Sequence, residues 1–377
     1  MGAQASQPMG TAPGTALHTT TMQGPAGPVQ SGSHTPLPVD TTPYLGPKLE
    51  YLLINVTARM DMQGGFFSRP IMTTNVDSYY PALIQNYPQG FKMIQFQTIP
   101  GVKQQAGWMS QAVPFQAILM RPVGIPPPAE SWNLQIVKSA IELQTFYSFS
   151  WYSTQGQMAN TNDVMNKIME MTQKGARLIC IEPTGAVQGP SFSSGLGGHA
   201  GTIGVDLLFH IPQHPNPTPY IYHGLHVAIT YGVQAGFGMP RYQCLTDIGA
   251  QFAAFLQQGW KLVEINPDQS SLRQATGFAS GQVTMNSMWF FEKEAAFVND
   301  PTPRWQGTIV TYQHKVKGSF GGVVASRHTW DPVMVEMGQR GWELACILET
   351  PEVIQASLTS STITVLLFFQ RPIYRQV

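Results

Sequence analysis

Four glycine residues divide this chain at an almost constant interval, and this interval constrains the fold more than any other feature of the sequence. Gly90, Gly175, Gly259 and Gly341 are separated by 85, 84 and 82 residues. Each follows a short amphipathic stretch and precedes an apolar run. A glycine in this position ends a helix, because it adopts a left-handed conformation without steric cost. A repeated period of this kind indicates tandem duplication.

The last of the four stretches shows the pattern most clearly. Asp331 is predicted to cap a helix, and Pro332 suits its first turn. Gly341 ends the helix, Trp342 folds back on it, and residues 343–348 form a strand. The same reasoning predicts that acidic residues start the other three helices: Asp77, Asp163 and Asp247.

The order strand, helix, strand, strand recurs around each glycine. The sequence therefore predicts an α+β protein of four tandem β-α-β-β modules, paired into shared antiparallel sheets with helices on one face. An aromatic residue follows three of the glycines and is expected to pack on its own helix end: Phe91, Trp260 and Trp342. Ala176 departs from this pattern. The predicted modules span 48–125, 131–212, 218–295 and 305–377.

The composition excludes several classes of function. Hydrophobic residues make up 43% of the chain and charged residues only 11%, with 21 basic and 21 acidic side chains. A neutral, charge-poor chain lacks the basic surface that nucleic-acid binding requires, and it offers no broad attraction to anionic lipid. The three cysteines, Cys180, Cys244 and Cys346, are too few for a disulfide framework and fit a reducing cytosol. Cys180 and Cys346 lie in apolar strands and are expected to be buried thiols.

Residues 1–47 are rich in Gly, Pro, Thr, Ser and Gln and are predicted to be a disordered tail. Gly2 followed by Ser6 matches the acceptor pattern for N-myristoylation. The alternative is a chance match among small residues. One myristoyl chain holds a membrane weakly and reversibly, and no cysteine or polybasic cluster precedes Lys48. Self-association or a protein partner would therefore have to strengthen the attachment.

Candidate chemical sites each have a structural explanation. His210, His214, His223 and His226 crowd one region, but His223 and His226 are predicted to point to opposite faces of a strand, so polar loop or edge positions are expected rather than a metal site. Residues 195–198, rich in glycine, lie between two strands and not before a helix, as a phosphate loop would. Glu264 and Glu349 are interpreted as matching positions of two repeats. The sequence thus predicts no catalytic residue, metal or cofactor.

Two groups of short motifs resemble known families. Gly-Trp-Glu-Leu-Ala at 341–345 and Leu-Phe-Phe-Gln-Arg-Pro at 367–372 resemble small bacterial strand–helix–strand–strand domains of unknown function. The larger pattern resembles the raftlin family, most strongly over 305–377, in Arg-Gly-Trp-Glu-Leu at 340–344, Glu-Thr-Pro at 349–351 and Phe-Gln-Arg-Pro at 369–372. It extends more loosely to Gly-Phe at 90–91, Ala-Ile-Leu at 117–119 and Gly-Ala-Arg-Leu at 175–178.

The resemblance implies an acylated protein of the inner membrane leaflet, associated with ordered lipid domains, immune-receptor signalling and uptake. Gly2 matches the family's myristoylated glycine. The family places a palmitoylated cysteine directly after that glycine, whereas this chain has Ala3.

These observations favour a non-enzymatic, lipid-anchored scaffold on the cytoplasmic face of the plasma membrane or an endomembrane, with protein partners still to be identified. The alternative is a soluble cytosolic module that binds a peptide or a small apolar ligand in a groove between repeats. A third reading, an enzyme, would need a cleft with convergent acids and a perturbed histidine.

Overall fold

The structure is a computed structural model of the 377-residue chain. It describes residues 18–21, 44–63, 71–99, 105–106, 110–125, 132–147, 154–188, 199–213, 218–234, 241–267, 281–319, 322–323, 330–356 and 360–374. The described part is a mixed α+β structure that consists mostly of antiparallel sheets. None of its helices combines the length and apolarity that a membrane crossing would require.

Four sheets follow one another along the chain. The first contains β2 (Leu49–Gln63), β3 (Ile71–Asn75), β4 (Lys92–Thr98), β5 (Gln105–Ala106) and β6 (Ser110–Pro122). The second contains β7 (Trp132–Tyr147), β8 (Thr154–Asn160), β9 (Arg177–Gln188) and β10 (His199–Pro212). The third contains β11 (Tyr220–Gln234), β12 (Arg241–Cys244), β13 (Lys261–Pro267) and β14 (Gly281–Glu294). The fourth contains β15 (Trp305–Ser319), β16 (Gly322–Val323), β17 (Glu343–Ala356), β18 (Ser360–Pro372) and the tail strand β1 (His18–Thr21).

The strand order is the same in the first three sheets: a short edge strand, the first long strand, the last strand, and the strand that follows the glycine. In the fourth sheet the short β16 pairs with β15 in the place of the edge strand, and β1 pairs parallel to β15. Each glycine-following strand carries one extra residue, a β-bulge, opposite its neighbour. The bulge falls four residues after the glycine in every sheet, at Ile94, Ile179, Val263 and Ala345.

One helix precedes each glycine-following strand. The helices are α1 (Tyr80–Ile84), α2 (Asn162–Gln173), α3 (Ile248–Gln257) and α4 (Asp331–Gln339). Each helix packs on its own sheet and also on the next sheet, so the hydrophobic clusters cross sheet boundaries. For example, Phe252 and Leu256 of α3 share a cluster with Ile309 and Phe368 of the fourth sheet. Met334 of α4 shares a cluster with Ile118 of the first sheet.

The sheets and helices therefore close into a ring. The α4 helix packs on β2, just as α2 packs on β11 and α3 on β15. The glycine-following strands β4, β9, β13 and β17 contact one another in this cyclic order, and β17 contacts β4 again. The central axis of the ring thus runs between these four strands.

The structure corrects several predictions about these elements. Modules do not pair into shared sheets, because each sheet takes its antiparallel strands from one stretch of the chain. Helices do not lie on one face only, because the other face of a sheet packs on the preceding helix. A fourth strand per sheet was missed, and the tail prediction is wrong for His18–Thr21, which forms β1.

Helix starts were predicted with mixed success. Asp247 accepts a hydrogen bond from the Ala250 amide and caps α3, as predicted. Asp331 and Asp163 lie inside the first turn of their helices and are not the capping residues, which are Trp330 and Thr161. Asp77 belongs to a short 3₁₀ turn that precedes α1.

Candidate functional site at the ring axis

A layer of polar and thiol side chains surrounds the ring axis. These side chains occupy the fifth position after each glycine and are all buried: Gln95, Cys180, Glu264 and Cys346. The β-bulge just before this position shifts the strand by one residue, which changes the face to which the following side chains point. Each of these strands thereby places a polar or thiol side chain at the junction of the four sheets.

Glu264 is held by three strands. Gln95 Nε2 donates to Glu264 Oε2 at 3.0 Å, and the two residues come from opposite sheets of the ring. The Ile265 amide donates to Oε1 at 2.8 Å, and the backbone of Ile181 adds a further hydrogen bond. Burial outweighs these contacts and raises the pKa of Glu264 to about 8. The carboxyl group is therefore mostly protonated at neutral pH.

The two thiols of this layer, Cys180 and Cys346, are in an environment that makes them unreactive. Burial raises the pKa of both Cys180 and Cys346 well above the usual value, and the nearby Glu264 acts in the same direction. A raised pKa leaves little thiolate, which is the reactive form. The expectation that Cys180 and Cys346 are buried thiols is confirmed.

A second polar layer lies two residues further along the strands. It contains Gln97, Glu182 and Asn266, and Leu348 occupies the fourth position. Glu182 accepts a hydrogen bond from the Thr98 amide at 3.1 Å, and burial raises its pKa. Gln97 Nε2 and Asn266 Nδ2 are buried donors without a hydrogen-bond partner. Asn266 is one methylene shorter than Glu264, which spans the axis to Gln95 in the layer below.

Contacts between neighbouring sheets satisfy the backbone just before the bulge. Leu344 N donates to Tyr51 Oη at 2.9 Å, and Leu178 N donates to Tyr222 Oη at 2.9 Å. At the junction of the third and fourth sheets, Leu262 N donates to Gln370 Oε1 at 3.0 Å. In each case the side chain belongs to the next sheet around the ring. The closing contact between the fourth and first sheets therefore resembles those between sheets that are consecutive in the chain.

Charged groups reinforce the same junctions. Arg177 of the second sheet forms a two-pronged ion pair with Glu292 of the third, and Tyr222 Oη donates to Glu292 at 3.0 Å. Although burial disfavours its charge, Arg177 and Lys261 hold the pKa of Glu292 below its usual value. Lys261 in turn forms an ion pair with Glu343 of the fourth sheet.

All four repeat glycines adopt the left-handed conformation, with φ of 86°, 79°, 80° and 72° at Gly90, Gly175, Gly259 and Gly341. A cation from the last strand of the same sheet closes three of these turns. Arg371 donates to the carbonyl of Arg340 at 2.9 Å and lies over the Trp342 ring. The same pair of contacts links Arg121 to Gln89 and Phe91, and Lys293 to Gln258 and Trp260.

We call this arrangement of a cation on a carbonyl and an aromatic ring the cation clamp. The second sheet lacks both the cation and the aromatic ring. Ala176 replaces the aromatic residue, and Ile211 occupies the position of the cation; both lie in one apolar cluster. The departure at Ala176 in the sequence therefore coincides with a second change that removes the cation.

Other predicted sites have different outcomes. Gly2, Ser6, His214 and residues 195–198 lie outside the described residues. His210 is buried, not at an edge, with its ring nitrogen 2.9 Å from Tyr87 Oη. Within the described ranges, no three His, Cys, Asp or Glu side chains are grouped as a metal would require.

The interpretation of Glu264 and Glu349 as matching positions is wrong, because the residue that matches Glu264 is Cys346. Sequence reasoning missed the axial layer as a whole. Its signal was nevertheless available: a polar or thiol residue interrupts each apolar strand at one fixed distance from the glycine.

Comparisons with known proteins found no relative. No family model, no curated protein and no solved structure matches this chain.

Proposed function

We propose that this chain is a non-enzymatic scaffold built from four tandem copies of one strand–helix–strand–strand unit, and that a myristoyl group on Gly2 attaches it to a membrane. The observation that carries the proposal is the repetition of one set of contacts: the left-handed glycine, the bulge, and the side chain of the next sheet that binds the backbone before the bulge.

The interior of the ring supports a structural role for its polar groups. Glu264, Gln95, Arg177 and Glu292 engage partners in other sheets and hold the units together. The exposed outer surfaces are then left for protein partners. The resemblance of 305–377 to raftlins, and the acceptor pattern of Gly2 and Ser6, favour a peripheral position on the cytoplasmic side of a membrane.

Metabolic labelling with a myristate analogue tests the anchor. Wild-type protein expressed in cells is expected to incorporate the label and to fractionate partly with membranes, while Gly2→Ala loses both properties. Ala3→Ser, which leaves the acceptor glycine in place, is the matched control. Equal labelling of wild type and Gly2→Ala would refute the anchor.

The second candidate function is ligand binding at the axis. It is favoured by the partnerless donors of Gln97 and Asn266, since a buried donor without a partner is costly and a ligand with hydrogen-bond acceptors would satisfy it. This geometry suits a polar ligand better than an apolar one. Native mass spectrometry would show a co-purified molecule on the wild type that is lost from Asn266→Leu. Identical masses, apart from the substitution, would contradict this candidate.

A further inference from the structure

Among the described residues, most of the exposed large apolar side chains lie at one end of the ring. At this end the first and last strands of each sheet meet, in the pairs Leu49–Pro122, Trp132–Pro212, Tyr220–Glu294 and Trp305–Pro372. Lys92, Arg177 and Lys261 stack on the aromatic residue that starts the next sheet, so these four strand ends lie at the same end of the axis. We call it the junction end.

Eight large apolar side chains are exposed among the described residues, and five of them flank the strand pairs of the junction end. These five are between 45% and 58% exposed: Leu45, Val123, Ile125, Val298 and Tyr374. The other three lie on two helices and after an edge strand: Met169, Val335 and Leu245. Scattered apolar residues are ordinary on a protein surface, but this concentration at one end is not.

Two acids beside this apolar surface form ion pairs with arginines. Arg121 forms an ion pair with Glu50 at 2.7 Å, and Arg304 forms one with Asp300 at 2.8 Å. These two ion pairs reduce the electrostatic repulsion between this surface and a lipid headgroup region.

The lipid-acceptor tail enters the fold at this same end. Tyr44, the first residue of the described segment that leads into β2, packs edge-on against Tyr374. The tail strand His18–Thr21 pairs with Thr308–Thr311, close to the start of β15 at Trp305. Both attachments place the tail root, which is the segment from Tyr44 that leads into β2, beside the exposed apolar side chains.

We propose that the junction end is a membrane-contact face, which lies against the lipid surface that the Gly2 acyl chain enters. This inference rests on the proposed myristoylation. A single myristoyl chain binds a membrane only marginally, and a second contact is needed for stable attachment. Neither a cysteine next to Gly2 nor a basic cluster in residues 1–47 supplies that contact. The apolar side chains at the tail root supply it.

A liposome co-flotation experiment tests this face with the full chain, co-expressed with an N-myristoyltransferase and mixed with phosphatidylcholine vesicles. The test variant is Leu45→Ser/Val123→Ser/Ile125→Ser. The matched control is Met169→Ser/Leu245→Ser/Val335→Ser, which removes the same number of exposed apolar side chains away from the junction end. Intact mass confirms the acyl chain, and thermal melts confirm folding of each variant.

The test variant is expected to reduce the lipid-bound fraction relative to the free fraction about tenfold, because three partly exposed side chains no longer enter the lipid, and the control is expected to leave it unchanged. Equal flotation of the two variants would overturn the proposal. So would a wild-type dimer that the test variant alone converts to a monomer, since the face would then contact a second copy.

If Gly2 is not acylated, the experiment gives a result that differs from failure of the membrane-contact face. An intact mass without the acyl chain refutes the proposed myristoylation, and the comparison of test and control variants then continues in the unacylated protein at higher lipid concentration. A difference between them there still supports the membrane-contact face, and its absence overturns it.

Discussion

Glu264 is a buried acid of the ring axis whose protonation affects the stability of the fold. Burial raises the pKa of its carboxyl group from 4.5 in an unfolded chain to about 8 in the fold. The folded state therefore binds the proton more tightly than the unfolded state does. The resulting stabilisation is complete below pH 4.5 and is lost as the pH rises through 8.

The unfolding free energy is therefore expected to fall by about 1.4 kcal/mol per pH unit between pH 5.5 and 7.5 on account of Glu264 alone. Burial also raises the pKa of Glu182, which adds a slope of the same sign. The isosteric change Glu264→Gln should remove only its own share. Urea denaturation of both proteins at several pH values measures this difference, and parallel pH profiles would contradict it.

Gly259 is a repeat glycine at which an added side chain would meet a backbone atom. Its φ is +80°, and a Cβ atom there would lie 2.9 Å from the Thr302 carbonyl oxygen. Gly124 offers a matched control, because its φ is +76° and nothing lies within 4 Å of the added atom. Gly124→Ala should cost about 1 kcal/mol for the left-handed backbone alone, and Gly259→Ala should cost roughly 3 kcal/mol. Equal losses in thermal or chemical melts would show that Thr302 does not confine this turn.

The turn between helix and strand is the element that repeats, and the cation clamp holds it. Arg371 is buried, and it lies between the Tyr44 and Trp342 rings while it binds the Arg340 carbonyl. Arg121 makes the equivalent contacts at a more exposed position. Arg371→Met should therefore cost about 2–3 kcal/mol and Arg121→Met less than about 1 kcal/mol. A larger loss at Arg121 would mean that burial does not set the strength of the clamp.

Elements with a strong local signal could be predicted, and elements defined by their neighbours could not. The helix ends at Gly175, Gly259 and Gly341 follow from the glycine itself, and the apolar strands after them follow from composition. The edge strand Thr154–Asn160 is polar and forms hydrogen bonds on one side only, so its sequence does not mark it as a strand. Asp331 has the expected type for a cap, but the chain before it turns one residue earlier, at Trp330.

Part of the candidate site could be predicted from the sequence, and part could not. The turn residues Phe91, Trp260 and Trp342 were found from the sequence because they adjoin the glycines. The contact of Gln95 with Glu264 was not, because it joins residues 169 positions apart across the ring. No local pattern indicates which units face each other in a closed arrangement.

At the scale of the whole molecule, closure of the ring is the central claim. Three of the four junctions join sheets that are consecutive in the chain, and the fourth joins the end of the fold to its beginning. If the ring is closed, the junction between the fourth and first sheets protects backbone amides from hydrogen exchange. The three junctions between consecutive sheets do the same. Tyr51 and Tyr222 occupy equivalent places at the closing junction and at an internal one.

Residue-resolved amide hydrogen exchange tests this equivalence most directly. Tyr51→Phe removes the hydroxyl that accepts from Leu344 N, and Tyr222→Phe removes the one that accepts from Leu178 N. The account predicts that each substitution accelerates exchange of its own amide by about tenfold and leaves the other unchanged. Acceleration at Leu178 without any change at Leu344 would show that the first and fourth sheets do not meet, and the ring would be open.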